Sequence, residues 1–308
     1  MDKVISILET ALPVFLALGL GMLCRSLGFL TRDGVDTLKK VVINITLPAV
    51  VLSAFATAEY SASTIVVPVL MFLLCCLGLA LGYLLVRLFH GKSRLAPFLA
   101  TGFEAGMLGY ALFALLFRDE SASRFAILDL GQVLFVFTLY KAILSGGKDK
   151  KALLRDALAS PILWAIFAGV LLGATGLFSA MERAGVAGLL TSVTDFVSAP
   201  TGMIILLTVG YDLVPKEIRW KQTGSLILLR LSVMAVLLGL LLLVNRTVLG
   251  GVIHEGAAVL MFMLPPPYVL PVFADEPAER VQISSALSAL TVMTMVLFAV
   301  FSILVGIR

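Results

Sequence analysis

Met263-Leu264-Pro265-Pro266-Pro267-Tyr268-Val269-Leu270-Pro271 sets four prolines in an apolar stretch that is otherwise suited to crossing a bilayer. Proline removes a backbone donor and clashes with the preceding turn, so a helix entering this stretch must stop and restart. In lipid the bared carbonyls and amides are costly unless they line a cavity, hold an ion or meet other protein. A helix broken at mid-membrane is therefore a candidate binding site. A second weak point, Gly102-Phe103-Glu104-Ala105-Gly106-Met107-Leu108-Gly109, lies in an earlier apolar run and has an acid near its centre. Two interrupted spans in corresponding positions of two halves point to the substrate site of a secondary transporter.

The composition sets the same frame. Of 308 residues, 60% are hydrophobic and 14% charged, and the mean hydropathy is +1.08. Soluble domains hold about 45–50% apolar and about 25% charged residues. A polytopic, all-α membrane protein is implied. The net charge of +4 and pI of 9.0 do not indicate nucleic acid, because the basic residues sit in short loops between apolar runs, where they set orientation. Three cysteines, Cys24 and the adjacent Cys75 and Cys76, make no disulfide framework. Without an A-x-A cleavage site, the first apolar run is expected to be retained as a span.

The apolar runs cover 4–24, 35–57, 64–88, 95–117, 124–146, 154–175, 188–213, 222–245, 254–274 and 281–306. Each approaches the roughly 20 residues that a bilayer core requires, so ten transmembrane helices are expected. The loops after the odd-numbered runs hold sixteen Lys and Arg residues, among them Arg32, Lys39, Lys141 and Arg219; the others hold Arg118, Arg124, Arg183 and Arg246. The bias places the odd loops in the cytoplasm and both termini outside a multi-pass cell-membrane protein.

The chain also repeats itself. Leu12-Pro13 opens the first run as Ser160-Pro161 opens the sixth, and Leu47-Pro48 in the second is answered by Ala199-Pro200 in the seventh. The glycine and proline breaks correspond at a similar offset. Five spans per half is an odd number, so the halves, 1–146 and 147–308, enter the membrane with opposite sense as a 5+5 inverted repeat. Their boundary is the basic linker 145–155, with Gly146-Gly147-Lys148-Asp149-Lys150-Lys151 at its core.

Leu12-Pro13-Val14-Phe15, Leu27-Gly28-Phe29-Leu30, Leu47-Pro48-Ala49, Phe103-x-x-Gly106-x-x-Gly109, Ala159-Ser160-Pro161-Ile162, Ala199-Pro200 and the proline cluster leading to Phe273-Ala274-Asp275 occur in order along the chain. In this it resembles the auxin efflux carrier family of permeases, PIN-like proteins with a bile acid:sodium symporter type of fold. The resemblance implies broken crossover helices four and nine. It also implies a scaffold of helices one, two, six and seven that forms a homodimer, and a transport domain of helices three to five and eight to ten. Two positions depart from the family pattern: Glu104 stands where an asparagine is common, and Ala111 where a proline is.

Glu104 falls about ten residues into the fourth run, roughly 15 Å deep at 1.5 Å per residue, where an acid is a functional candidate by default. It either binds substrate or a coupling proton, or caps the loosened backbone. Asp129 and Gln132, three residues apart, share a helix face that either holds a coupling cation or hydrogen-bonds the break. Arg230 partners Glu104 or Asp129, meets a substrate carboxylate, or snorkels to the surface. Asn44 is placed on the scaffold facing the substrate, and Tyr268 offers a phenol to a carboxylate. Gly102, Phe103, Gly106, Pro265, Pro266 and Pro267 complete the candidate binding residues, and Asp195 is read as a polar residue near the outer end of the seventh helix.

Enzyme signatures fail. Gly91-Lys92-Ser93 lacks the glycine and strand of a phosphate loop, and His254-Glu255 lacks the second histidine of a zinc helix, so no metal site is expected. The leading reading is a carrier of a small organic anion, a carboxylate or an auxin-like molecule. It works by alternating access and needs no cofactor beyond a coupling H+ or Na+. The alternatives are a cation/proton antiporter on the same fold and a membrane receptor that binds without transport.

Overall fold

The computed structural model describes residues 2–89, 93–144, 151, 155, 158–214, 216, 218–273 and 277–307. Their regular structure is helical throughout. The basic linker core 146–150, His90-Gly91-Lys92 and the Ala274-Asp275 pair lie outside the described residues.

Helix α1 (Asp2–Ser26) carries Pro13 within it. Helix α2 (Arg32–Ala56) is started by the Thr31 side chain, which accepts a hydrogen bond from the Gly34 amide at 3.1 Å. It is continuous despite Lys39-Lys40, because both lysines fall in its first turns, clear of the apolar length beyond. Next come α3 (Ala62–Phe89), a short 3-10 turn (Ala96–Ala100), α4 (Ala105–Leu116) and α5 (Ser123–Leu144). Pro161 opens α6 at the one place where a missing N–H costs nothing, and α6 consists of Pro161–Ala174 and Leu177–Arg183, bent by 63° at Gly176. The sixth run, expected at 154–175, is thus displaced towards the C-terminus and kinked. The rest are α7 (Ala187–Asp212), α8 (Trp220–Thr247), α9 (Glu255–Met263) and α10 (Pro277–Ile307).

Among the described residues six helices are long and apolar enough to cross a membrane, and the bent α6 adds a seventh. This is a polytopic membrane protein. The runs 95–117 and 254–274 are not continuous helices: each is split, and α9 has only nine residues. Large apolar side chains such as Phe15, Phe167, Phe196 and Leu228 point outward, as a lipid solvent demands. The buried aromatic core, with Phe98, Phe113, Phe125, Phe135 and Tyr140, surrounds α4 and α5.

The most extensive helix contacts run between α1 and α7 and between α2 and α6, followed by α3 against α5. In lipid such contacts rest on close packing, for which small residues at the interface are suited. At Gly210 an added Cβ would lie 2.2 Å from the Leu18 carbonyl oxygen, and at Gly21 one would lie 2.1 Å from that of Leu207. Gly210→Leu is therefore expected to push α1 from α7 and destabilise the protein by about 3 kcal/mol or more. The midpoint of thermal unfolding in detergent reads this; an unchanged midpoint would mean that the two backbones do not touch there.

Candidate functional site

The two interrupted segments meet inside the protein, and their backbone groups can be traced one by one. After the 3-10 turn the chain extends at Thr101 (φ −150°, ψ 167°), turns through Gly102 at φ +70° and reaches Glu104, where α4 begins. Glycine is required at that turn, because a left-handed backbone is cheap only without a Cβ. On the opposite side α9 stops at Met263 and Leu264 is extended (φ −65°, ψ 150°), leading into Pro265-Pro266-Pro267. The two breaks are joined directly: the Glu104 amide donates to the Pro265 carbonyl at 2.8 Å.

Carbonyls freed by the breaks find a cation. Arg230, from α8, is only 2% exposed and donates to the carbonyls of Leu99 (2.8 Å), Gly102 (2.9 Å) and Leu264 (2.6 Å). One guanidinium thus ties both broken segments to one helix, using the fixed fork of donors that lysine lacks. Thr294 donates to the Met263 carbonyl at 2.6 Å.

Freed amides find acceptors. Glu104 caps α4: its Oε1 accepts from the Met107 amide at 3.2 Å, and its Oε2 accepts from the Tyr268 amide of the other break at 2.6 Å. The Phe103 amide donates to Gln132 Oε1 at 3.3 Å, and Gln132 Nε2 donates to Asp129 Oδ1 at 3.0 Å. The Tyr110 hydroxyl donates to Asp129 Oδ2 at 3.0 Å. Asp129 is 4% exposed, and hydrogen bonds to both its oxygens offset the cost of burying it.

Beside the breaks lies a cavity of about 720 Å³. Phe103, Glu104, Gly106, Asp129, Gln132, Pro267 and Tyr268 line it. Gly102, Pro265 and Pro266 are not among its lining; Gly102 and Pro265 make the hydrogen bonds that join the breaks to Arg230 and to each other. Arg230 neither pairs with Glu104 or Asp129 nor snorkels; it is buried and donates to three bare carbonyls instead. Asn44 is exposed and off the cavity, its amide donating to the Lys40 carbonyl at 2.8 Å, while Ile43 lines it instead. A π turn at Val42–Thr46 adds a residue to that turn of α2 and rotates the remainder of the helix. Asp195 is exposed on α7. Tyr268 faces the cavity, but its hydroxyl is engaged with Thr291 Oγ1 at 3.0 Å.

Several lining residues carry no signal in the sequence. Tyr110, Thr291 and Asp212 come from three helices, and no spacing along the chain announces their meeting. Lys39 and Lys141, expected as loop charges that set orientation, both also line the cavity. Within the lining Asp212 accepts from Arg32 (2.5 Å) and from Lys39, and Lys141 Nζ sits 4.1 Å from the centre of the Phe137 ring. At the opposite end of α4 the rings of Phe113, Phe117, His254 and Phe301 stack edge to face or tilted, with Phe117 and His254 at 4.9 Å. His254 Nδ1 accepts from the Ala257 amide at 3.0 Å and so caps α9.

Comparison with known proteins agrees with a membrane protein. The family described as "Membrane transport protein" matches residues 6–306. An "Uncharacterized transporter" of Methanothermobacter thermautotrophicus is 28% identical over 212 residues, which is 67% of each chain.

Proposed function

This chain belongs to the membrane transport protein family of auxin efflux carrier permeases, and on that premise we propose that it is a secondary carrier which moves a small organic solute by alternating access. One observation carries the reading: two non-helical segments meet within a membrane protein, bonded to each other, beside a cavity lined by Glu104 and Asp129. Irregular backbone at membrane depth is tolerated where it is buried in protein or lines such a cavity.

The finer architecture rests on the same premise. Ten spans form a 5+5 inverted repeat, 1–146 and 147–308, with α4 and α9 as broken crossover helices. Exchanging the halves turns the contact of α1 with α7 into that of α6 with α2, and the contact of α3 with α5 into that of α8 with α10; all four pairs pack together. Helices α1, α2, α6 and α7 form the scaffold and carry a homodimer contact. The others, with both breaks, form the moving part. The cavity lies between these groups and reaches Arg32, Lys39 and Asp212, at the end where the basic loops lie; the ring cluster around Phe117 closes the other end. This is an inward-facing state with both termini outside the cell membrane. Coupling by H+ or Na+ runs through Glu104 or Asp129.

The sequence favours an organic anion as cargo, with cation/proton exchange as the alternative. The engaged amides of the breaks support a cationic cargo over an anionic one. Counterflow in proteoliposomes tests the carrier itself. Vesicles loaded with a transported amine or carboxylate should take up the labelled solute faster than empty ones, and Glu104→Gln should make that uptake independent of pH. Saturable binding with no counterflow for any solute would instead make the protein a receptor.

A further inference from the structure

Glu104 occupies the place in the cavity where an anion would otherwise gain most. The first turn of α4 and the amide of Tyr268 converge from the two breaks, and amides at a helix N-terminus favour negative charge. Both carboxylate oxygens of Glu104 already sit on these amides, at 3.2 Å from Met107 N and 2.6 Å from Tyr268 N. An incoming carboxylate must displace a tethered one or lie beside it, and Asp129 adds a second acid to the same lining.

We infer that the central cavity selects a cargo with a cationic head, a protonated primary amine on a small apolar body, and that Glu104 receives it. The inference rests on the carrier reading for the meaning of cargo and names its charge class. It is supported by the donors and acceptors around Glu104 and Asp129. The cation buried nearby, Arg230, directs three of its five donors to the carbonyls of Leu99, Gly102 and Leu264 and is not part of the cavity lining. Tyr110 and Gln132 both donate to Asp129, and the Tyr268 hydroxyl is paired with Thr291. Acceptors remain. An ionised carboxylate offers about four lone-pair sites, and the bonds described use two on Glu104 and two on Asp129, whereas an ammonium brings three donors. The rings of Phe103 and Phe137 and the side chains of Val133 and Leu287 line the same space and suit an apolar body. The basic residues of the lining are Arg32 and Lys39, which Asp212 holds, and Lys141, whose ammonium lies over the Phe137 ring.

Phenethylamine and phenylacetate, which share a ring and a short chain and differ in charge, test the assignment on the purified full-length protein in detergent. Calorimetry and thermal unfolding should show phenethylamine binding at least about tenfold more tightly, a difference of about 1.4 kcal/mol. Glu104→Gln should erase that preference, and Glu104→Asp, which keeps the charge, should retain its order. A measurement on the unaltered protein guards against a variant that fails to fold. Carbodiimide labelling of Glu104, followed by mass spectrometry, should be slowed by phenethylamine and not by phenylacetate. Phenylacetate binding as tightly as the amine, or no difference between the two probes, overturns the assignment. Counterflow separates the two readings. Amine binding without flux removes the carrier and leaves the charge preference standing; phenylacetate flux without amine binding does the reverse.

Discussion

Arg230→Leu is expected to abolish the native fold or to lower its unfolding midpoint in detergent by about 10 °C or more. The guanidinium serves the carbonyls of Leu99, Gly102 and Leu264, and no other described side chain is seen to serve them. Each buried acceptor left bare costs about 1–3 kcal/mol, so the three together approach the 5–15 kcal/mol of net stability typical of a folded protein. Leucine cannot repay this, because the acceptors are backbone and remain. Arg230→Lys is expected to fall between the two, since an ammonium lacks the planar fork that reaches three oxygens in different directions. A leucine variant that melts within a degree or two of the parent would mean that the breaks do not depend on this side chain.

The second large effect is expected at Gly102. Gly102→Val places a β-branched residue at φ +70°, where even unbranched L residues lose about 1–2 kcal/mol, and sets its Cβ 3.0 Å from the ring carbons of Pro267. Overpacking of that kind adds about 1–3 kcal/mol. The two breaks would be forced apart at the turn that aligns Glu104 with Pro265, so both the unfolding midpoint and ligand binding should fall. Gly239→Ala is the control. It lies within α8, nothing is within 4 Å of its added Cβ, and alanine is the better helix former, so its midpoint should equal or exceed that of the parent. Equal behaviour of the two variants would show that the left-handed turn carries no weight.

Sequence is most telling where one local rule acts alone. Three successive prolines at 265–267 remove three amide donors and end a helix that runs into them, and glycines around Glu104 weaken one, so both breaks are visible in the chain. The three-residue spacing of Asp129 and Gln132 likewise ensures a shared face, and they are hydrogen-bonded. Arg230 shows the limit. Nothing in α8 itself says that its partners are the carbonyls of Leu99 and Gly102, more than a hundred residues away, and Leu264. Glu104 has two roles open to it in the sequence, and capping is the one its hydrogen bonds display. Asn44 misses its expected place because a π turn shifts the register of α2, and an i+3, i+4 pattern does not reveal an inserted residue.

Hydropathy, loop charge and proline placement sufficed for a helical, multi-pass membrane protein interrupted at two points, since bilayer thickness and backbone chemistry act on each segment separately. The partners of the freed backbone groups are a different matter. Which carbonyls Arg230 binds, that Glu104 bridges two amides from opposite breaks, and that Asp212 gathers Arg32 and Lys39 beside the same cavity depend on contacts between residues far apart in the chain. Such contacts exist only once the helices have packed, because a buried polar atom takes the partner that the whole arrangement brings within about 3 Å, and no neighbour in sequence can supply it.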